Sequence, residues 1–391
     1  MQLTLTESEQ QLRDEVRLFL AANAPSRDEI PADWVERVAF LRDWQRQMHE
    51  AGLVALAWPK EFGGRGASVM EQVVVNQEIA RAGAPELIGT IGLDVVGPSI
   101  LEHGTEQQKS RYMEPIMSAG ELWCQGFSEP DAGSDLASLK TVGEVHDDHF
   151  LIRGQKTWTS YAEFAKWCAV LARTDPDSKG HRGISYIVVD LESEGVDARP
   201  LALISGDTEF GEVFFDDVVV PRENLIGELN GGWAIAMHTL GHERGSYAAT
   251  RQVMMRTWLD RLIEEAAELE RGGVKALDDP ELAASVTRAH VQLEVLKHHG
   301  YRSLGRDAAR GGPGPESSED KLFLGMTEHR VGATALDVLG PYASGDPEVD
   351  DHDADFWHHM YLYGRAASVY GGTAQIQRNI IAQRVLGLPR S

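Results

Sequence analysis

Three short segments of this 391-residue chain have the residue types needed to hold a flat aromatic ligand and an anion or carbonyl group. In residues 123–135, small residues, hydroxyls and two glycines let backbone amides approach a ligand closely. In residues 154–160, Trp158 stands beside hydroxyls, so its indole could stack on an aromatic cofactor while a hydroxyl donates to a ring nitrogen. In residues 368–378, paired glycines precede a helix starting at Thr373, whose free N–H groups suit an anion or a carbonyl oxygen.

Each segment alone also has an ordinary structural interpretation. The first could be a loop between a helix and a strand, capped by Ser and Asp side chains. The tryptophan could belong to the hydrophobic core, and the third segment could be a plain helix start. The presence of all three, in this order along one chain, favours a binding site.

The hydrophobic pattern predicts the elements that must position these segments. Residues 1–120 show helical spacing, which begins after a capping-box pattern at Thr6. Residues 121–228 contain β-branched and aromatic runs bounded by Gly, Asp and Pro, which predicts a β unit with a strand over 150–160. Helical spacing returns in residues 229–391. We therefore predict an α+β fold with an N-terminal helical domain, a middle β domain and a C-terminal helical domain at these boundaries.

The composition argues against several classes of protein. With 37 basic and 61 acidic residues the net charge is −24, so we expect neither nucleic acid nor membrane partners. Cys124 and Cys168 are the only cysteines, too few for a disulfide framework or a zinc site. The cluster of His352, His358 and His359 lacks a second ligand set, and we predict no metal. We find no signal-peptide pattern and no run of about 18 apolar residues, which indicates a cytoplasmic protein.

Together, the three segments resemble those of the acyl-CoA dehydrogenase family. The similarity extends from Thr6 to residues 384–390, and residues 128–135 and 370–378 are its most specific parts. Members of this family are flavoproteins that bind FAD and oxidise an acyl-CoA thioester to the trans-2-enoyl thioester. The resemblance therefore implies FAD as cofactor, an acyl-CoA substrate and a role in lipid metabolism. It also implies the family's fold, in which a β-barrel-like middle domain lies between an N-terminal helical domain and a C-terminal helical bundle.

Matched position by position, the resemblance also implies individual contacts. The residues expected to contact the flavin are Gln125, Gly126, Ser128, Ser134, Trp158, Ser160, Thr373 and Gln375. Trp158 is similar to the tryptophan that packs on the isoalloxazine ring, and Ser160 to the hydroxyl that bonds the flavin N5. Ser134 also matches a contact to the acyl-CoA. Arg244, near the CoA moiety, and Tyr370 are the other substrate contacts that the resemblance implies.

The resemblance places the catalytic base in the middle of the chain. Most of the family carries a glutamate directly after the tyrosine of the last segment, but here that residue is Gly371. A minority branch, including isovaleryl- and long-chain-type enzymes, carries the base before an arginine on the long helix after the β domain, where this chain has Glu243. Helical spacing puts Glu243 at the border of an apolar stripe, where partial desolvation increases its basicity. We expect Glu243 to take the α-proton, the flavin N5 to accept the β-hydride, and the Gly371 N–H to bond the thioester carbonyl.

Two departures from the common family pattern leave alternatives open. Residues 271–290 lack the Arg-x-x-Phe-Gly motif that usually reaches the FAD of a neighbouring subunit, and Asp337 stands where a glutamine often assists. In both departures the chain resembles bacterial enzymes that act on bulky acyl-CoA thioesters, including those of steroid side chains. Some of these enzymes form mixed tetramers. We expect a dimer or tetramer with itself or a paralogue, and an electron-transferring flavoprotein as acceptor. The alternatives are a non-catalytic or half-site subunit, and an oxygen-using oxidase or hydroxylase on the same fold.

Overall fold

The first third of the chain is helical. The computed structural model describes residues 5–310, 314–344 and 353–389, with the side chains of 241–247, 308 and 344 left out. Five α-helices precede the first strand: α1 (Glu7–Asn23), α2 (Trp34–Glu50), α3 (Val69–Arg81), α4 (Gly97–His103) and α5 (Glu106–Met117).

Helix α1 begins with the predicted capping box. The Thr6 hydroxyl accepts the Glu9 N–H at 3.3 Å, and the Glu9 carboxylate accepts the Thr6 N–H at 2.7 Å. The side chains of Leu12, Val16 and Leu20 recur at helical spacing and are all buried. This stripe is why α1 packs into the N-terminal core rather than standing free in solvent.

An eight-stranded sheet follows the helices. Its strands are β1 (Trp123–Gly126), β2 (Val142–Val145), β3 (His149–Ser160), β4 (Trp167–Arg173), β5 (Ile184–Asp190), β6 (Val196–Leu201), β7 (Phe210–Pro221) and β8 (Leu225–Ile226). The strand order is β6-β7-β3-β2-β4-β5-β8, with β1 paired to β4. The β1–β4 and β2–β4 pairs are parallel and the other pairs are antiparallel.

Strands β4 and β5 are buried on both faces, which explains their continuous apolar runs. In β4, Ala169 and Leu171 belong to the core shared with the N-terminal helices, whereas Cys168 and Val170 belong to a second core on the opposite face of the strand. Successive side chains of a strand point to opposite faces, so one strand supplies two cores. The first and second parts of the chain therefore share a continuous interior.

The chain ends in a second set of helices. These are α6 (Gly232–Glu268), α7 (Pro280–Arg310), α8 (Ser317–Leu339), α9 (Ala354–Tyr363) and α10 (Ala374–Ile380), with a hairpin of β9 (Glu270–Arg271) and β10 (Val274–Lys275) after α6. Helix α6 starts against β5: a Cβ at Gly232 would lie 2.4 Å from the carbonyl carbon of Ser185, so only glycine fits there. The long helix is thereby fixed to the sheet at its first residue.

The predicted order of helices, sheet and helices is confirmed. The strand predicted over 150–160 lies within β3, and one of the β-branched runs of the predicted β unit, residues 184–189, lies within β5. Within the described ranges, no helix is both long enough and apolar enough to cross a membrane.

Candidate active site

The first two predicted segments lie against each other. The backbone N–H of Thr157 donates to the carbonyl oxygen of Ser128 at 2.9 Å, which joins the loop after β1 to the end of β3. Trp158 and Ser160 follow directly on β3, and Gln125 and Gly126 precede the loop on β1. Five of the residues predicted to contact a flavin are therefore on two adjacent chain segments.

A buried ion pair crosses the same junction. Lys156 Nζ lies 2.8 Å from Glu129 Oε1 and donates to the carbonyl oxygen of Phe127 at 3.1 Å; Lys156 is 0% and Glu129 7% exposed. Burial opposes the charged form of Glu129, but the charge and hydrogen bond of Lys156, together with hydrogen bonds from Thr141 and Lys140, outweigh it and lower the pKa of the carboxyl. Burial also lowers the pKa of Lys156, against the attraction of Glu129. Neither residue was among the predicted site residues.

Trp158 is not a core residue. It is 60% exposed, its φ is +57°, and its only described ring partner is Phe210, at 6.2 Å between centroids in an edge-on arrangement. The pairing of β3 with β7 shifts register between Lys156 and Thr159, and this bulge turns the indole out of the sheet. A bulky residue with positive φ is strained, and such strain concentrates at functional sites.

Two polar atoms on β1 and β3 are buried and have no hydrogen-bond partner among the described residues. They are Gln125 Nε2 and Thr159 Oγ1. A buried polar atom without a partner costs free energy, so a ligand with polar edges would relieve that cost. These atoms fit the family's FAD, whose ring has donor and acceptor positions beside its flat face. Ser134 is exposed in the loop after β1. Thr159 was not among the predicted flavin contacts.

The third segment forms a tight turn in the C-terminal bundle. Gly371 and Gly372 both have positive φ, +61° and +94°. Gln377, which is buried, donates from Nε2 to the carbonyl oxygens of both glycines. The ammonium of Lys321, from α8, lies 3.7 Å from the centroid of the Tyr370 ring. The glycine turn is therefore held from two sides.

The predicted helix start after this turn is also present. The Thr373 hydroxyl accepts the Ile376 N–H at 3.2 Å as the N-cap of α10, and its proton stays available to donate. Gln375 is exposed on the first turn of that helix.

Helix α9 ties the C-terminal bundle to the loop between β6 and β7, which ends at Phe210. His359 Nε2 lies 2.6 Å from Asp207 Oδ2, and the Tyr363 hydroxyl donates to Glu209 at 2.6 Å. Burial raises the pKa of Glu209. Burial also opposes ionisation of Asp207, but hydrogen bonds from His359 and Ser205 lower its pKa overall. The bundle thus contacts the chain beside Trp158.

The side chains of Glu243 and Arg244 lie outside the described residues. The backbone of this part of α6 is helical. The residues on either side are buried: Thr239 hydrogen-bonds Ser99 at 2.6 Å, and Gln77 of α3 donates to the Ala249 carbonyl at 3.2 Å. Helix α6 is therefore packed against other helices at positions before and after the turn that carries Glu243.

A basic cleft of about 600 Å³ adjoins the Ser134 loop. Its lining includes Lys140, Arg173 and Lys179, together with Asp135. Arg173 donates to the carbonyl oxygens of Ala137, Gly180 and Arg182, which hold its guanidinium in place without neutralising it. On a chain with a net charge of −24, this is a place where an anionic ligand is favoured.

In place of the family motif expected in residues 271–290, the chain has the β9–β10 hairpin and the start of α7. Arg271 donates to the carbonyl oxygen of Asp337 at 2.6 Å and so binds the carboxyl end of α8. The Asp337 side chain is exposed. Arg271 is thus used inside this subunit to stabilise a helix end.

No group of three or more His, Cys, Asp or Glu side chains that could hold a metal ion occurs among the described residues. Of the histidines considered above, His352 lies outside the described residues and His359 contacts Asp207.

Comparison with known protein families identifies the family of this chain. Sequence profiles of three domains match the chain in order: the N-terminal domain of acyl-CoA dehydrogenase over residues 6–120, the middle domain over 124–218 and the C-terminal domain over 230–386. The chain belongs to the acyl-CoA dehydrogenase family. The predicted family and its helical–β–helical fold are thereby confirmed, and members of this family generally bind FAD.

Named relatives agree with this assignment. Acyl-CoA dehydrogenase IpdE1 of Mycobacterium tuberculosis is 41% identical over 89% of this chain and 88% of its own length. Its namesake in Mycolicibacterium smegmatis is 38% identical over 97% of this chain and 98% of its own length. Family and relatives together support the predicted activity, dehydrogenation of an acyl-CoA thioester.

Solved structures share the whole fold. The Tcur3481-Tcur3483 steroid acyl-CoA dehydrogenase superimposes with a TM-score of 0.87 at 29% identity and covers all of both chains. The ChsE4-ChsE5 complex of Mycobacterium tuberculosis superimposes with a TM-score of 0.85 at 30% identity, again over all of both chains.

Proposed function

We propose that this protein oxidises a bulky acyl-CoA thioester to the trans-2-enoyl-CoA with FAD, and that Glu243 is the catalytic base. The observation that carries the proposal is Trp158, held exposed at φ +57° where the two predicted flavin-binding segments meet. A strained and exposed indole fits a flat ligand better than it fits a structural role.

The residues proposed to hold the flavin are Gln125, Gly126, Ser128, Ser134, Trp158, Ser160, Thr373 and Gln375. When bound, FAD supplies the acceptor for the hydride that leaves the β-carbon of the substrate. Gly371 donates its N–H to the thioester carbonyl, which stabilises the negative charge that develops on that oxygen as the α-proton departs. Glu243 removes the α-proton, which is too weakly acidic to leave without both aids.

The backbone around Glu243 suits a base that must work in a water-poor site. Position 243 lies seven residues after Ala236 and four after Thr239, both buried, and so shares a face of α6 with them. We propose that the carboxylate acts on this face, because a base for a weakly acidic α-proton must work away from bulk water.

The CoA moiety fits the basic cleft. Its phosphates are polyanionic, and Lys140, Arg173 and Lys179 line the cleft that adjoins the Ser134 loop. We propose that the phosphates bind there, with Ser134 and Arg244 along the path to the flavin and Tyr370 beside the acyl group. A ligand attracted in this way binds more weakly as the salt concentration rises.

The acyl group is proposed to be bulky, of the steroid side-chain type. Support comes from the relative named as a steroid acyl-CoA dehydrogenase and from the departures at residues 271–290 and Asp337. We also propose that the protein works as an oligomer with itself or a paralogue, and that an electron-transferring flavoprotein reoxidises it.

Anaerobic bleaching of bound flavin, followed at 450 nm against a panel of acyl-CoA thioesters, tests the proposal. Wild type should bleach with at least one bulky acyl-CoA. The Glu243→Gln variant should keep its flavin and bleach about 10² to 10⁴ times more slowly. Glu264→Gln changes an exposed glutamate on the same helix and should behave as wild type. Bleaching of Glu243→Gln at the wild-type rate would exclude Glu243 as base.

A half-site subunit is the second candidate, and the hairpin at Arg271 favours it. Because Arg271 binds the end of α8 in its own subunit, it is engaged where the family motif usually reaches a neighbour's FAD. Flavin content distinguishes the two: the chain purified alone should hold one FAD per subunit if it is an independent dehydrogenase. Flavin that appears only after mixing with a paralogue favours the half-site subunit.

A further inference from the structure

The ion pair between Glu129 and Lys156 joins three stretches of chain, not two. Beyond its bond to Lys156, the Glu129 carboxylate accepts the backbone N–H of Lys140 at 2.6 Å and of Thr141 at 2.9 Å. Lys156 in turn donates to the Phe127 carbonyl. Two side chains therefore fix the loop after β1, the approach to β2 and the end of β3 relative to one another.

Stability alone does not explain why a charged pair is buried here. Removing two charges from water costs several kcal/mol, and a well-packed apolar pair of similar volume is often as stable. The position of this pair in the fold is more informative than its contribution to stability. Lys156 is the last residue of β3 in register before the bulge, and Trp158 is inside it. Ser128 lies next to Glu129, so each partner is within two residues of a predicted flavin contact.

The strained backbone at Trp158 needs such an anchor. A left-handed φ at a bulky residue persists only where its surroundings impose it. On the N-terminal side of Trp158, the constraints include the Thr157 N–H to Ser128 bond, the Lys156 ion pair and the pairing of Lys156 with Val213 of β7. Gly126 belongs to the same arrangement, because a Cβ there would lie 3.2 Å from the Lys156 Cγ.

We propose that Glu129 and Lys156 are positioning residues that hold the Ser128 loop and Trp158 in the geometry that receives the flavin. This inference rests on the proposed function, since it assumes that these segments bind FAD. Neither side chain touches reacting atoms, and both act through Ser128 and Trp158.

The test measures FAD affinity rather than turnover. The double variant Glu129→Gln/Lys156→Met replaces the pair by neutral groups of similar size. Its control is Glu328→Gln/Arg251→Met, which removes a second buried ion pair, 3.0 Å apart, between α6 and α8. For each flavin-free protein, the dissociation constant of FAD is measured by quenching of flavin fluorescence, and thermal unfolding is recorded alongside.

The 129/156 variant should bind FAD at least tenfold more weakly than wild type, with altered visible circular dichroism of the bound flavin. The control should bind FAD within twofold of wild type, even if its unfolding temperature falls by as much as that of the 129/156 variant. Affinity within twofold in the 129/156 variant overturns the inference.

Glu129→Gln alone serves if the double variant does not fold, and it should also bind FAD more weakly than the control does. If neither variant folds, the pair is required for the fold itself, and the specific role is overturned. Failure of the wild-type protein to bind FAD would instead overturn the proposed function together with the inference.

Discussion

The side-chain amide of Gln377 donates to the carbonyl oxygen of Gly371 at 3.0 Å, and to that of Gly372 at 3.1 Å, from a fully buried position. A peptide unit whose carbonyl is held in this way has little freedom to rotate. Gln377 therefore fixes the peptide units 371–372 and 372–373, and the first of these directly follows the unit that carries the Gly371 N–H, which we assign to the thioester carbonyl.

Replacing Gln377 by leucine should slow flavin reduction by acyl-CoA about 10- to 100-fold while the flavin content stays near wild type. The reason is that a misplaced donor loses part of its stabilisation of the transition state, typically a few kcal/mol for complete removal. Stopped-flow bleaching measures the rate. Asn379→Ala, at an exposed position of the same helix, is the control, and an equal effect there would contradict the assignment.

Replacing Trp158 by glycine should leave the flavin-free protein as stable as wild type or up to about 1 kcal/mol more stable, because glycine adopts positive φ without strain. Little buried area is lost, since the indole is 60% exposed. Denaturant unfolding of the flavin-free protein measures this, and FAD affinity should fall in the same variant.

Tyr161 is the matched control, because it has the same φ of +57° but packs on Trp34 with 6.4 Å between ring centroids. Tyr161→Gly should destabilise by about 2 kcal/mol or more, as the loss of a packed aromatic ring outweighs the relief of strain. If both glycine variants destabilise equally, the exposed indole at Trp158 is not held against strain.

Gly126→Ala should destabilise the protein by about 1 to 3 kcal/mol, because the new Cβ would lie 2.8 Å from the Cys168 sulfur. Removing that sulfur with Cys168→Ala should recover part of the loss, so the double variant should be more stable than the sum of the single changes. Gly133→Ala, in the loop after β1 and with no atom within 4 Å of the new Cβ, should be neutral within about 0.5 kcal/mol. Equal effects of the Gly126 and Gly133 changes would show that close packing at β1 does not matter.

The sequence predicted the helices and strands well where their signal lies within a few consecutive residues. The capping box at Thr6 and the apolar run of β5 need only local information, and both are present. The environment of Trp158 could not be predicted in this way. Strict alternation from Phe150 puts positions 152, 156 and 158 on one face, and Lys156 is indeed buried there. The bulge then turns Trp158 outward, and no residue in the strand marks the bulge.

The positioning residues were missed for a different reason. Lys156 had a usable signal, since alternation from Phe150 placed a lysine on the buried face and a buried lysine needs a partner. Its partner, Glu129, is 27 residues away in a loop and could be found only from the folded chain. Gln377 was similarly hidden, because its bonds reach back across the turn before its own helix.

Asp207 and Glu209, the two carboxylates that contact side chains of α9, should change the stability of the protein in opposite directions as the pH rises. Burial raises the pKa of Glu209 above 4.5, so the folded state carries a penalty that is absent at lower pH and fully present once pH exceeds the folded pKa. Asp207 has a lowered pKa, so it stabilises the fold above about pH 3.8 and loses that contribution as pH falls through its folded pKa. Thermal unfolding between pH 3 and pH 8 measures both.

Glu209→Gln keeps an acceptor for the Tyr363 hydroxyl but removes the charge, so its unfolding temperature should rise relative to wild type as pH increases from 4 to 7. Asp207→Asn removes a charge that His359 and Ser205 stabilise, so it should be destabilising at pH 7 and less so near pH 3. The two difference curves should therefore slope in opposite senses on the same helix contact. Parallel curves would contradict this assignment. They would mean that loss of either charge changes stability with the same pH dependence, and so that burial does not dominate at Glu209 and hydrogen bonding at Asp207.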